Sequence, residues 1–256
     1  GGWLGLRGGS FRPRPHPHNN TLHRSRRAVR LFVRQLTHCG PVNVSVLSLN
    51  SESTMDSLYI GVSSWIIQDG NYPDFRIGDA INIALEFHPY RICESKNNLA
   101  SITRLSSCHY RVNGKSIFVN NNVFVLDFGF LAYNQASPPK WMKSNCDIEA
   151  DIYLGIDPFF YFEELHAMRG IPELRYDFRV RGIELETTPW MSTVDSHGRT
   201  MNIRDDSQTS FCSVSETDAW SDDDGNAHYI LELERINNGT EPSDARKSPV
   251  GREFKS

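Results

Sequence analysis

The stretch that decides the fold spans residues 147–186 and reads DIEADIYLGIDPFFYFEELHAMRGIPELRYDFRVRGIELE. Its first ten residues alternate apolar and polar side chains, which is the pattern of a strand with one buried face. Asp157-Pro158 then supplies a helix N-cap and a proline at the first helical position, and Gly170 is a helix-ending residue. Alternation resumes at Leu174. The stretch therefore predicts a strand, a short helix over 158–169 and a long returning strand.

Similar strand patterns recur outside this unit, and they set the fold class. The segments that alternate or run apolar for strand length are 58–67, 81–88, 110–119, 123–133, 211–214 and 229–234. Asn113-Gly114 is a favoured hairpin turn, so we expect two short strands to meet there. We predict a mainly β domain, with α+β as the alternative, in which about seven strands form an antiparallel barrel or sandwich. By element order alone this pattern resembles an OB barrel, although OB barrels usually have fewer strands.

Charge divides the chain into segments. Residues 1–54 carry eight arginines, no lysine and one acid, whereas residues 55–256 carry 19 basic and 30 acidic residues. We expect 1–54 to be a disordered or basic amphipathic leader, or upstream sequence foreign to the native product. The folded domain is predicted over 55–236, with a mobile acidic insertion at 191–226. A disordered polar tail is predicted over 237–256.

The cysteines and the hydropathy pattern bear on location. The five cysteines are widely spaced and form no Cys-x-x-Cys pair, which favours free thiols in a reducing compartment. No apolar run is long enough to cross a bilayer. We expect a cytoplasmic protein, or an organelle-targeted or membrane-peripheral one if residues 1–54 are genuine.

The helix carries the only candidate catalytic group, and that group is weak. Glu163 and His166 are three residues apart and share a helix face, with Glu164 beside them. A Glu-x-x-His pair forms part of a di-iron carboxylate site, but the second pair that such a site needs is missing from the sequence. Glycine-rich phosphate loops and the nucleophile elbow are missing as well. We therefore predict no metal and no cofactor.

Other side chains are candidates for binding or for structural ion pairs. The aromatic helix is expected to plug a barrel end, with a binding surface as the alternative reading. The candidate binding residues are Asp157, Phe160, Tyr161, Trp141 and Tyr153. If strands 147–156 and 173–186 are neighbours, acidic Glu149 and Asp151 would pair with the basic row Arg175, Arg179 and Arg181. Asp127 interrupts an apolar run, which predicts either a buried carboxylate that pairs with one of these arginines and fixes strand register, or one that faces solvent.

These observations rank three classes of function. We expect a non-enzymatic binding module whose partner is a protein, since the acidic insertion suits a basic surface. A hydrolase that acts on a polar substrate such as a carbohydrate, through paired carboxylates, is the second possibility. An OB-like binder of single-stranded nucleic acid ranks last, because the chain outside the leader is acidic.

Overall fold

The computed structural model describes residues 57–97, 99–195 and 198–236. The predicted leader and tail lie outside the described residues. The described residues form twelve strands and two short helices, rather than about seven strands and one helix. In chain order they are β1 (Leu58–Ser63), α1 (Ser64–Gln68), β2 (Ala80–Glu94), β3 (Ser101–Ser106), β4 (His109–Asn120), β5 (Val123–Asp127), β6 (Leu131–Asn134), β7 (Asp147–Ile156), α2 (Phe160–Glu163), β8 (Arg175–Glu186), β9 (Trp190–Val194), β10 (Thr200–Arg204), β11 (Phe211–Val214) and β12 (His228–Arg235).

Five of these strands close into a first barrel. Antiparallel ladders join β1 to β12, β12 to β8, β8 to β2 and β2 to β7. One parallel bridge, Gly61 with Gly155, joins β7 back to β1 and completes the ring. The predicted mainly β fold is therefore confirmed, and these pairings close the five strands into a ring, as a barrel requires.

A second ring shares the β2–β7 ladder with the first. β7 also pairs with β4, β4 with β5, and β5 with β6, all antiparallel. A single parallel bridge, Glu86 with Tyr133, joins β6 to β2 and closes this ring. The chain thus forms two fused barrels, with β11 added at the edge of β8 and β3 at the edge of β4.

One continuous apolar core fills both barrels. Alternate residues of β7, from Ile148 to Ile156, face this core, as the period of two predicts. α1 adds Ile66 and Ile67. A smaller second cluster lies outside the barrels, where Tyr161, Leu165 and Leu174 pack on residues of β2, β5 and β6.

Several local predictions were wrong. Helix 158–169 is only α2 and a separate 3-10 turn at Leu165–Ala167. Left-handed Phe159, with φ of 77°, delays the start of α2, and the non-helical backbone of Glu164, with φ of −122°, separates the two turns. The segment covers the outer side of the sheet instead of plugging a barrel end. Asn113-Gly114 lies within the continuous strand β4, so the predicted hairpin does not form there.

The insertion at 191–226 is more structured than predicted. It holds a separate two-stranded sheet of β9 and β10, and the predicted strand at 211–214 is confirmed as β11. Thr217 Oγ1 donates to Asp74 over 2.8 Å, which ties the insertion to the barrel. No helix among the described residues is long and apolar enough to span a bilayer.

Candidate functional site

The two closing bridges lie side by side, in a line that we call the closure row. It consists of Tyr133, Glu86, Gly155 and Gly61, each paired with the next across neighbouring strands. A Cβ on Gly61 would lie 1.6 Å from the Tyr153 hydroxyl, and one on Gly155 would lie 3.2 Å from the Tyr153 ring. Glycine is therefore required where the Tyr153 ring lies over the first barrel's closure.

Tyr153 is the buried centre of a polar group, which we call the Tyr153 cluster and which reaches the surface at Tyr90. In register it lies between His88 of β2 and His109 of β4. Its Oη is 2.8 Å from Nε2 of His228, whose Nδ1 is 3.4 Å from a Glu186 carboxylate oxygen. The cluster consists of Tyr153, His88, His109, His228, Glu186, Cys108 and Tyr90, whose hydroxyl lies 2.7 Å from His109 Nε2.

Burial sets the acid–base properties of this cluster. It raises the pKa of Tyr153 well above its usual value and raises the pKa of Cys108 to about 12. Burial and the neighbouring His228 lower the pKa of His109. Burial also acts to raise the pKa of Glu186, but the hydrogen bond and charge of His228 outweigh it, so that pKa is lowered. At neutral pH the Cys108 thiol and the Tyr153 phenol therefore stay protonated.

A buried carboxyl group, Asp157, lies beside the other end of the closure row. Its Oδ1 accepts hydrogen bonds from the Tyr133 hydroxyl and, over 3.0 Å, from the Tyr161 backbone N–H. Its Oδ2 and the Tyr72 hydroxyl are both buried and have no hydrogen-bond partner within the described ranges. Burial raises the pKa of Asp157 to about 7, and the Glu86 carboxylate adds to the rise. The unpaired Oδ2 is thus the oxygen suited to carry a proton.

Glu86 connects the two groups. Its carboxylate is 3.5 Å from Nε2 of His88, which belongs to the Tyr153 cluster. Burial opposes a charge on His88, but attraction to Glu86 outweighs burial, so the His88 pKa is raised. Polar side chains therefore continue from Asp157 through Tyr133, Glu86 and His88 to Tyr153.

The order Glu186, His228, Tyr153 matches an orienting acid, a base and a hydroxyl nucleophile. However, Tyr153 and His228 are only 6% and 8% exposed, and Asp157 is fully buried. A substrate would need open access to these atoms, and in this conformation the protein covers them. Within the described ranges, no group of three or more metal-ligating side chains is placed to hold an ion.

An exposed aromatic surface lies on the insertion, and we call it the tryptophan surface. It comprises Trp190 and Val194, which share one face of β9 and are 45% and 63% exposed, and Trp220, which is 70% exposed and lies three residues before Asp223, the hydrogen-bond partner of Trp190. Large apolar side chains exposed together mark interaction sites more often than isolated ones do.

Trp190 is held in place from two sides. Its indole N–H donates to Asp223 over 3.0 Å, and the Arg204 guanidinium lies 4.0 Å from its ring centroid. Arg204 also donates to Asp223 over 2.5 Å and to the Thr188 carbonyl over 2.6 Å. These contacts fix the ring while leaving almost half of the side chain exposed.

Carboxylates are frequent in the segment that carries this surface. Residues 187–227 carry eight acids and two arginines. Both arginines are already paired, Arg204 with Asp223 and Arg199 with Asp195. The segment therefore has an excess of negative charge.

The residues predicted as site candidates are dispersed. Glu163, Glu164 and His166 are exposed on the covering segment, where His166 Nδ1 lies 3.2 Å from the Tyr161 carbonyl. Among the binding candidates, Tyr153 and Asp157 belong to the buried polar groups. Phe160 packs near the Tyr133 ring, Tyr161 is buried with its hydroxyl bonded to Glu173, and Trp141 is 36% exposed.

The predicted facing rows of charge do not face each other, because β7 and β8 are not neighbours. Asp151 pairs with Arg91 and Arg111, and Glu149 pairs with Arg91. On β8, Arg175 pairs with Glu173, Arg181 with Glu234, and Arg179 donates to the Gly78 carbonyl. Asp127 is half-buried and accepts from the Gly129 N–H over 3.1 Å, so it closes a turn rather than fixing register from the core.

Sequence reasoning missed Glu86, His88, His228 and Glu186. The sequence indicates them only indirectly. Gly61 and Gly155, which make room for Tyr153, lie inside strand-length apolar runs. A glycine within a strand often marks a close approach. Comparisons of the chain with protein-family models, with curated proteins and with solved structures give no match.

Proposed function

We propose that this protein is a non-enzymatic binding module that recognises a basic surface or segment of another protein through its tryptophan surface. The observation that carries the proposal is the fixation of Trp190 by Asp223 and Arg204 while the ring stays exposed. An exposed ring that is already ordered loses little freedom when a partner covers it. Tryptophan is also enriched among the residues that dominate interface energetics.

Charge supports a basic protein as the partner. The described residues include 15 basic and 26 acidic side chains, and eight of the acids lie in the segment 187–227 that carries the tryptophan surface. Such a field attracts lysine and arginine and repels phosphate backbones. The four described cysteines are all free thiols, which suits the cytoplasmic location that we propose for this module.

One observation favours the hydrolase as the second candidate. Burial raises the pKa of Asp157 to about 7, as a general acid requires, and the Glu86 carboxyl group is close enough to add to that rise. Glu86 and Asp157 are 5% and 0% exposed, so the binding proposal has the better geometric support.

The test compares four probes by titration against the full chain. They are an arginine- and lysine-rich peptide, an aspartate- and glutamate-rich peptide of equal length, a single-stranded oligonucleotide and a neutral oligosaccharide. We expect the basic peptide alone to bind, and Trp220→Ala or Trp190→Ala to weaken that binding about tenfold or more.

Trp141→Ala is the comparison variant, since Trp141 is an exposed tryptophan from a different part of the chain. It should change the affinity less than about twofold, as a side chain outside the contact would. Binding of the oligonucleotide or hydrolysis of the oligosaccharide would contradict the proposal. Loss of peptide binding in Trp141→Ala alone would show that the binding site lies around Trp141 instead.

A further inference from the structure

Each barrel closes through one parallel bridge, and both bridges belong to the closure row. The other ladders of the two rings contain at least four residue pairs each. Opening of either ring therefore needs the fewest hydrogen bonds broken at this row. Any group that changes charge beside the row acts on the weakest point of both closures.

Asp157 is such a group, and it is enclosed on every side. It faces the Tyr133 hydroxyl from β6, the Glu86 carboxylate from β2, the Tyr72 hydroxyl from the loop after α1, and the Tyr161 N–H from α2. None of these neighbours is a cation. An ionised Asp157 would place a second buried carboxylate beside Glu86, which is unfavourable in a low-dielectric interior.

His88, on the other side of Glu86, is the group that can carry a positive charge. It faces Glu86 from its own strand and Tyr153 from β7. Beyond Tyr153 lie His109 of β4 and His228 of β12, with Glu186 of β8 against His228 and Tyr90 of β2 against His109. Protonated His88 thus balances the Glu86 charge, and its loss leaves Glu86 buried without that partner.

We propose that the closure row is a proton-operated latch on the two fused barrels. With Asp157 neutral and His88 charged, the row is closed. Loss of both protons leaves Glu86 and Asp157 as adjacent buried anions, loosens the single bridges and lets the Tyr153 ring lift from Gly61 and Gly155.

The folded state favours the protonated forms of Asp157 and His88, and this preference sets the direction of the pH dependence. The pKa values of Asp157 and His88 are both raised, so the stability they provide is present at low pH and is lost as pH rises toward and beyond 7. The lowered pKa of His109 opposes this at low pH, because a charge there is unfavourable. The latch should therefore be tighter at pH 6 than at pH 8.5.

Cys108 offers a direct readout. Its thiol is 1% exposed and belongs to the Tyr153 cluster, whereas Cys212 is an exposed thiol of the same chain. The experiment measures maleimide labelling of each cysteine in the full chain by peptide mass spectrometry. At each pH, the labelling rate of Cys108 is divided by the labelling rate of Cys212. This ratio is then divided by the same ratio measured in urea at that pH, which removes the effect of thiol ionisation.

From pH 6 to pH 8.5 we expect this normalised ratio to rise about tenfold or more, since one pKa unit of coupling corresponds to a factor of ten. Asp157→Asn should limit the rise to less than about threefold, and Glu86→Gln should do the same if the first variant folds poorly. The control Asp127→Asn alters a half-buried turn carboxyl and should behave like the parent chain. A ratio that does not change with pH, or an equal rise in parent, Asp157→Asn and Glu86→Gln, would overturn the proposal.

Discussion

Residues at the closure row constrain the fold more tightly than most of the residues that were predicted from the sequence as site candidates. Gly61 and Gly155 are needed because Tyr153 occupies the space in which their side chains would lie. Asp157 was predicted as a helix N-cap, and it does accept the Tyr161 N–H, but its larger role is as a carboxyl group enclosed by tyrosines and Glu86. Residue type and spacing indicated its local hydrogen bond and could not indicate neighbours that lie far away in the chain.

Gly61→Ala should destabilise the protein by about 3 kcal/mol or more, because the new Cβ would overlap the Tyr153 hydroxyl and strain a packed site. Urea unfolding of parent and variant gives the difference. Gly182→Ala is the matched control, a second strand glycine of the first barrel. Its Cβ would lie 3.1 Å from the movable end of Glu232, so we expect a cost of about 1 kcal/mol or less. Equal costs for the two substitutions would show that Tyr153 does not occupy the space over Gly61.

Asp157→Asn should flatten the dependence of global stability on pH. The folded-state pKa of about 7 exceeds the unfolded value, so the parent loses stability as pH rises from about 4 to above 7. Asparagine resembles the neutral carboxyl group and cannot ionise. Between pH 5 and pH 8 we expect the parent to lose on the order of 2 kcal/mol more than the variant in urea unfolding. A parent that gains stability relative to Asp157→Asn over this interval would contradict the assigned ionisation.

Among the strands and helices, those with strict alternation were predicted well, and those defined by one short motif were not. β7 and β8 lie where the period of two placed them, at Asp147–Ile156 and Arg175–Glu186. Asn113-Gly114 failed as a hairpin because β4 pairs with β7 across this point and continues. Gly114 is needed for a different reason, since its Cβ would lie 2.0 Å from the backbone oxygen of Asp127.

Gly114→Ala should therefore cost about 2–4 kcal/mol, because the obstructing atom is backbone and cannot rotate away. Asn113→Ala removes an exposed hydrogen bond to Ser101 and should change stability by about 0.5 kcal/mol or less. A type I′ turn at this place would make both substitutions costly. Thermal unfolding of the two variants separates the alternatives, and a large loss in Asn113→Ala would favour the turn.

For the molecule as a whole, the sequence supported a β barrel but not two barrels that share a ladder. Ring closure depends on bridges as small as Gly61 with Gly155, and alternation does not show which strands are neighbours. For the same reason the facing charge rows were wrong, since β2 and β4 flank β7 and supply Arg91 and Arg111. The tryptophan surface was missed because β9 and β10 lie in a polar stretch whose order depends on Arg204, Asp223 and contacts to the barrel.

The claim that this surface binds a basic protein segment is tested most directly by the indole N–H signals of the full chain. Of the five tryptophans, Trp3, Trp65, Trp141, Trp190 and Trp220, only the last two belong to the tryptophan surface. Each signal is assigned with a tryptophan-to-phenylalanine variant, and the arginine- and lysine-rich peptide is then titrated in a two-dimensional ¹H–¹⁵N experiment. If the tryptophan surface binds the peptide, the Trp190 and Trp220 signals shift saturably while those of Trp65 and Trp141 stay in place. Stationary Trp190 and Trp220 signals, or shifts confined to the other tryptophans, would contradict that claim.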